Sequence, residues 1–181
     1  MRDRITEPAR LTGLCTSKYI LVNNTVILLQ FKEVFKILNH IPKILSPELL
    51  KVLCEMGHGD TIVLADGNFP SESIGKNSIV IRADGHGVPE LLDAILSLFP
   101  LDNYPKEPVA LMDVVAGDTV KTPIWEDYAR LVANYDPRGK SAIRRLERFA
   151  FYEEAKKAYA VVATGESALY ANIILQKGVV L

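Results

Sequence analysis

The chain of 181 residues has few cysteines, little net charge and no long uninterrupted apolar run. Its two cysteines, Cys15 and Cys54, do not make a disulfide framework, which favours a reduced, intracellular setting, the cytoplasm. A net charge of −1 gives no pull toward nucleic acid or an anionic membrane surface, so neither is expected as a partner. The apolar stretch at residues 19–31 follows Arg2, Arg4, Arg10 and Lys18, as a signal peptide or anchor would. It falls short of the ~20 residues that span a bilayer, Asn23 and Asn24 sit in its middle, and no clear small-residue cleavage site follows. There is no internal repeat and no low-complexity tract. The glycine pairs around His58 and His86 lack the offsets of a phosphate loop or a dinucleotide fingerprint. No Gly-x-Ser-x-Gly elbow is present, and no second close pair completes a zinc-like ligand set with Cys54 and His58.

At 49% hydrophobic and 24% charged, the composition is that of a globular domain with a sizeable core. The chain is best organised around residues 46–66. Leu49, Leu50, Val52, Leu53 and Met56 recur at helical spacing, with Ser46 as a cap and Pro47 in the first turn. Cys54 then falls in the apolar part of that helix. Gly57 fits the left-handed position that ends a helix. His58 follows between two glycines, where no neighbouring side chain shields it. Residues 61–65 are a β-branched apolar run ending at Asp66. His58 and Asp66 therefore lie on the order of 20–25 Å apart at ~3.3 Å per strand residue. They can meet only through curvature, a neighbouring loop or a second subunit.

Downstream, the loop at residues 67–78 is long enough to line a site. Strands are expected at residues 79–81, 109–115, 160–164 and 172–175. Helices are expected from Pro89 to Phe99, from Thr122 to Val132, and over residues 151–158 with Glu153 and Lys157 as a supporting pair. Residues 141–148 read equally as helix or strand. Strands alternating with helices imply an α/β fold with helices on both faces of a largely buried sheet, a three-layer α/β/α domain. The surviving chemistry is general acid–base work, for which His58, His86, Asp66, Asp84 and Asp102 are candidates. Asp66-Gly67 and Asp84-Gly85 also fit plain turn formers.

Several segments in order resemble a known family. They are Ser46-Pro47-Glu48-Leu49-Leu50, Met56-Gly57-His58-Gly59-Asp60, Ile81-Arg82-Ala83-Asp84-Gly85, Arg148-Phe149-Ala150-Phe151-Tyr152-Glu153, Ala163-Thr164-Gly165-Glu166 and Tyr170-Ala171-Asn172. Together they resemble the sugar mutarotases of the ribose pyranase and fucose mutarotase family, and stand nearest its fucose branch. The resemblance runs from about Ile41 to the end. It implies a mutarotase domain over residues 41–181, with residues 1–40 an extra and poorly ordered segment. It further implies an isomerase that interconverts the α and β anomers of free L-fucose without a metal or organic cofactor, in a homo-oligomer with sites near subunit contacts. A ribose-type activity and a non-catalytic monosaccharide-binding module are the alternatives. By the resemblance His58 would be the proton donor, Asp102 a site carboxylate and Tyr152 a catalytic or binding phenol. Asp66 would hold sugar hydroxyls, Met112 and Arg148 would lie beside the sugar, and Tyr170 and Asn172 would close the site. One departure is Ala171, where fucose enzymes usually carry glycine.

The residue types suit the reaction. Mutarotation removes a proton from the anomeric hydroxyl and delivers one to the ring oxygen, then reverses both after rotation about C1–C2. An imidazole with a pKa of about 6.5 can serve either step near neutrality.

Overall fold

The computed structural model describes residues 18–22, 25–29 and 38–180. The chain separates into two units, Met1–Phe35 and Lys36–Leu181. In the first, β1 (Lys18–Val22) pairs antiparallel with β2 (Thr25–Leu29). The expectation of poor order for the rest of residues 1–37 lies outside the described residues.

The second unit is built on a six-stranded mixed sheet. In chain order its elements are α1 (Pro47–Glu55), β3 (Thr61–Ala65), α2 (Ser71–Ile74), β4 (Ile79–Ala83), α3 (Val88–Leu96), β5 (Val109–Met112), α4 (Ile124–Tyr135), β6 (Ile143–Leu146), α5 (Arg148–Ala155), β7 (Ala160–Thr164) and β8 (Ile173–Gln176). The spatial order of strands is β4-β7-β3-β8-β5-β6. β8 runs antiparallel to both of its neighbours, β3 and β5, and the other pairings are parallel.

The central strand shows why both faces must be covered. Ile62 and Leu64 of β3 join one core cluster with Leu49, Leu91 and Tyr128 of α1, α3 and α4. Val63 and Ala65 turn the other way, onto Phe151 and Ala155 of α5 and Phe69. Successive side chains of a strand point to opposite faces, so a run apolar at every position requires helices on both. The three-layer α/β/α expectation is met.

Local chemistry explains most element ends and some departures. Ser46 caps α1, its hydroxyl accepting from the Leu49 amide at 3.1 Å. Gly57 is not the left-handed terminator. Met56 ends the helix in an extended conformation, and the left-handed residue is Gly59 at φ +87°. Asp60 accepts from the Gly57 amide at 2.7 Å and closes this turn. Cys54 is exposed, because the buried face of α1 is Leu49, Val52 and Leu53. The strand expected at residues 109–115 ends at Met112, where its pairing with β6 stops. The ambiguous residues 141–148 divide three ways: a 3₁₀ turn over Gly139–Ala142, then β6, then the first residue of α5. Glu153 pairs with Lys156 one turn on rather than with Lys157.

Gly165 is required by close approach. The Gly165 amide donates to the His86 carbonyl at 2.9 Å, and a Cβ there would collide with the Asp84 carbonyl. This contact locks the loop after β7 to the loop after β4. The neighbouring Glu166 carbonyl in turn accepts from the Gly67 amide beside Asp66. Gly165→Ala is expected to destabilise the protein by about 1–3 kcal/mol, the cost of overpacking a tight site. Equilibrium urea unfolding with an unchanged midpoint would refute it.

Candidate active site: a cleft and a His–Asp pair at opposite sheet edges

Topology gathers the candidate residues into two groups. Asp66 follows β3, Met112 ends β5, Arg148 follows β6, and Asn172 precedes the antiparallel β8, so all four reach the same edge of the sheet. There they line a cleft of about 260 Å³ together with Tyr152 and Tyr170. That lies just below the ~300–1,000 Å³ usual for drug-sized ligands and suits a molecule of monosaccharide size.

Asp66 and Asn172 form its polar centre, and both are buried. The Asn172 side-chain oxygen accepts from the Asp66 amide at 2.9 Å, while its NH₂ donates to Asp66 Oδ2 at 2.7 Å. Asp66 Oδ1 accepts from the Asn68 amide at 3.0 Å. Each carboxylate oxygen keeps acceptor capacity for a hydroxyl.

Around this centre the walls are aromatic and apolar. Tyr152 stands edge-on to Phe69, with ring centroids 5.6 Å apart, and its hydroxyl bonds to none of the described residues. Met112 is buried, serving both core and wall. Glu147 is spent on the α5 N-terminus, where it accepts from the Phe149 and Ala150 amides. Arg148 therefore makes no ion pair with it, and its guanidinium lies 5.9 Å from the Phe149 ring centre. Tyr170 holds a left-handed backbone at φ +56°, and its hydroxyl donates to Asp118 Oδ2 at 2.8 Å. Ala171 has its methyl in the core cluster on the other face and does not line the cleft. The departure from glycine therefore leaves the lining of the cleft unchanged.

At the opposite edge, His58 precedes β3, Asp102 precedes β5 and Gln176 ends β8. His58 Nε2 lies 3.1 Å from Asp102 Oδ1. The same oxygen accepts from the Tyr104 amide at 3.0 Å, and Oδ2 accepts from Gln176 Nε2 at 3.1 Å. Arg138, paired with Asp136, donates to the Asp102 and Pro105 carbonyls and braces this loop. The Asp102 side chain is 3% exposed and the imidazole 44%, so a buried carboxylate orients an accessible base.

Six of the ten sequence candidates thus converge on the cleft: Asp66, Met112, Arg148, Tyr152, Tyr170 and Asn172. His58 and Asp102 converge on each other and do not reach it within one chain. Asp84 and His86 join neither group, being engaged by Arg82 and Glu90. Sequence reading missed Asn68, Phe69, Asp118 and Leu169 of the cleft. The long loop after Asp66 signalled the first two. It also missed Tyr104, Gln176 and Arg138 around Asp102.

The two buried carboxylates have opposite acid–base characters. Burial pushes Asp66 above the ordinary aspartate range, and donors from Asn68, Ala171, Asn172 and Phe69 offset only part of this. Burial pushes Asp102 up as well, but the Tyr104 amide, the His58 imidazole and the Asn103 amide together hold it below that range. A lowered folded pKa contributes stability above the ordinary value of 3.8, and that stability is lost as pH falls through the folded value. Asp66 has the reverse sign, because acidification from its raised value toward 3.8 relieves its burial cost. Asp102→Asn is therefore expected to flatten the acid-side fall of unfolding free energy, and Asp66→Asn to steepen it just above that value. Urea melts from about pH 3 to pH 6 read both slopes, and slopes equal to the wild type would contradict the assignment.

Fold and cleft define a class: small α/β proteins with a polar, aromatic-walled cleft at the carboxyl ends of the parallel strands. Within that class the chain belongs to the RbsD / FucU transport protein family, whose pattern matches residues 39–180. It is 57% identical over 145 residues to the fucose mutarotase of Mus musculus, spanning 78% of this chain and 94% of that protein. It resembles the crystal structure of FucU from Bifidobacterium longum with a TM-score of 0.78 and 68% identity, over 78% of this chain and 99% of that one. It also resembles the fucose mutarotase of Streptococcus pneumoniae solved in complex with L-fucose, with a TM-score of 0.75 and 53% identity, over 80% of this chain and all of that one.

Proposed function

We propose that this protein interconverts the α and β anomers of L-fucose, and that each site joins the cleft of one copy to the His58–Asp102 pair of another. The observation that carries the first part is the Asp66–Asn172 centre in a cleft of monosaccharide size, in a chain similar over most of its length to fucose mutarotases. Asp66 and Asn172 suit vicinal hydroxyls, since one accepts and the other both donates and accepts. Arg148 adds donors. Met112, Phe69 and Leu169 supply apolar contact for the C6 methyl that distinguishes fucose from its hydroxymethyl counterpart. One methyl is worth only ~1–3 kcal/mol, so related sugars leak through.

The reaction needs a base and an acid. A base takes the proton of the anomeric hydroxyl, and an acid protonates the ring oxygen as the C1–O5 bond breaks. The open-chain aldehyde turns about C1–C2, and both transfers reverse on the other face of C1. His58 is the proton donor in this reading, kept in one tautomer by Asp102, and the Tyr152 phenol at the cleft is its partner.

The second part rests on the separation of the two groups and on what surrounds them. Leu169 is 51% exposed at the cleft and Phe149, its ring 6.4 Å from that of the cleft residue Tyr152, is 69% exposed, while Tyr104 is 83% exposed beside His58, 5.1 Å from its ring. Large apolar side chains left open on both halves fit two complementary patches of a homo-oligomer. A cytoplasmic setting belongs to the same reading, supported by a sequence with only two cysteines, Cys15 and Cys54.

Saturation transfer between the anomeric protons of L-fucose, with D-ribose as a parallel sample, tests the activity. Acceleration for L-fucose is expected. Acceleration for ribose alone would move the substrate, and none for either would remove the enzymatic reading.

A further inference from the structure

We propose that Trp125 and Tyr128 are positioning residues of the sugar site, holding residues 170–172 in the one backbone shape that aims Tyr170 and Asn172 into the cleft. This rests on the reading of the cleft as a sugar site.

Neither side chain lines the cleft. Both lie on one face of α4, a helical turn apart, and both are buried. Trp125 Nε1 donates to the Tyr170 carbonyl at 2.8 Å, and the Tyr128 hydroxyl donates to the Ala171 carbonyl at 2.8 Å. The segment they grip needs holding. Tyr170 at φ +56° occupies a region that bulky side chains avoid and that persists only where the surroundings over-determine it. Immediately downstream, Asn172 is bonded twice to Asp66, and its carbonyl accepts from the Met112 amide at 3.4 Å. The clamp thus connects α4 to every polar group at the centre of the cleft.

Trp125 is itself held in place. The Arg145 guanidinium stacks 4.5 Å from its ring centre, which stiffens the donor. Burial, reinforced by Glu166, Asp66 and Asp127, pushes the Tyr128 phenol far above its ordinary value, so it stays protonated and donating. Releasing either bond frees the strained turn to relax toward ordinary backbone angles. The Tyr170 ring and the Asn172 amide then lose their aim, while the His58–Asp102 pair at the other sheet edge is untouched.

The test uses the full chain. The sequence has a single tryptophan, so its indole N–H gives one resonance in a ¹⁵N correlation spectrum. Titration with L-fucose is expected to move that resonance saturably, although Trp125 does not touch the sugar. Tyr128→Phe removes one hydroxyl and keeps the ring. It is expected to raise KM for L-fucose about two- to tenfold, the effect of one hydrogen bond of typical net worth. kcat should stay within about twofold, the split expected when ground-state and transition-state binding weaken alike. Trp125→Phe should move KM the same way. If it fails to fold, Tyr128→Phe and the wild-type titration still decide. An unchanged KM in Tyr128→Phe, a loss confined to kcat, or an indole signal unmoved by saturating L-fucose each overturns the proposal. A wild-type protein inactive on L-fucose would instead defeat the sugar-site reading itself.

Discussion

His58→Ala is expected to slow the catalysed exchange of L-fucose anomers by about 10²–10⁴-fold, the usual worth of one positioned acid or base. The sugar should still bind, because the groups proposed to hold it, Asp66, Asn172 and Arg148, lie at the other edge of the sheet. The loss should also be chemical and not structural. The imidazole is nearly half exposed and its removal leaves no cavity, while Asp102 keeps its bonds to the Tyr104 amide and Gln176. Saturation-transfer rates at matched protein concentration, with L-fucose affinity measured by titration calorimetry, separate the two quantities. Undiminished exchange in His58→Ala would place the proton chemistry wholly within the cleft, on Tyr152 and Asp66. Lost affinity with lost exchange would make His58 a binding group instead.

What could be read from the sequence follows from how local each signal is. α1, β3 and β7 were legible because a cap, a proline at the first turn and unbroken β-branched runs act over a few residues. Residues 141–148 were not, because three short elements share a stretch too brief for any period to show. The failure at Gly57 has the same root: two glycines flank His58, and which of them goes left-handed is decided by Asp60 bonding back to the first. The site was legible in its residue types and not in its geometry. Asp66 and Asn172 are brought together by β8 running antiparallel beside β3, and His58 and Asp102 by the far end of β8, where the Gly59 amide donates to the Lys177 carbonyl and the Asp102 amide to the Gln176 carbonyl. No spacing within one segment encodes either contact. Asp118, Tyr104 and Gln176 left no signal, because loops and strand ends delivered from elsewhere carry them into place. The one inference that did foresee the geometry was mechanical. A five-residue strand is too long for His58 and Asp66 to meet in one chain, and the fold leaves them at opposite sheet edges.

That separation makes a sharper prediction than any single substitution. His58→Ala keeps an intact cleft, and Asp66→Ala keeps an intact His–Asp pair. Each alone is expected to be nearly inactive, the second because the carboxylate that holds the sugar is gone. Co-expressed in one cell, the two should regain activity. If every site takes its cleft from one copy and its imidazole from another, random mixing in a closed ring leaves about a quarter of sites with both halves intact. The recovered rate should approach that fraction of the wild type, and size exclusion should show one assembly containing both chains. A chain carrying both substitutions, co-expressed with the wild type, serves as the control: random mixing there leaves about a quarter of sites intact, below the half that simple dilution would leave. If each site lay within a single chain, no mixed assembly could contain an intact one, and co-expression would leave both variants as inactive together as apart. Recovery near a quarter would show the oligomer to be part of the catalyst. Its absence, with activity intact in the wild type, would require the cleft and the imidazole to meet through a rearrangement of the sheet edges within one copy.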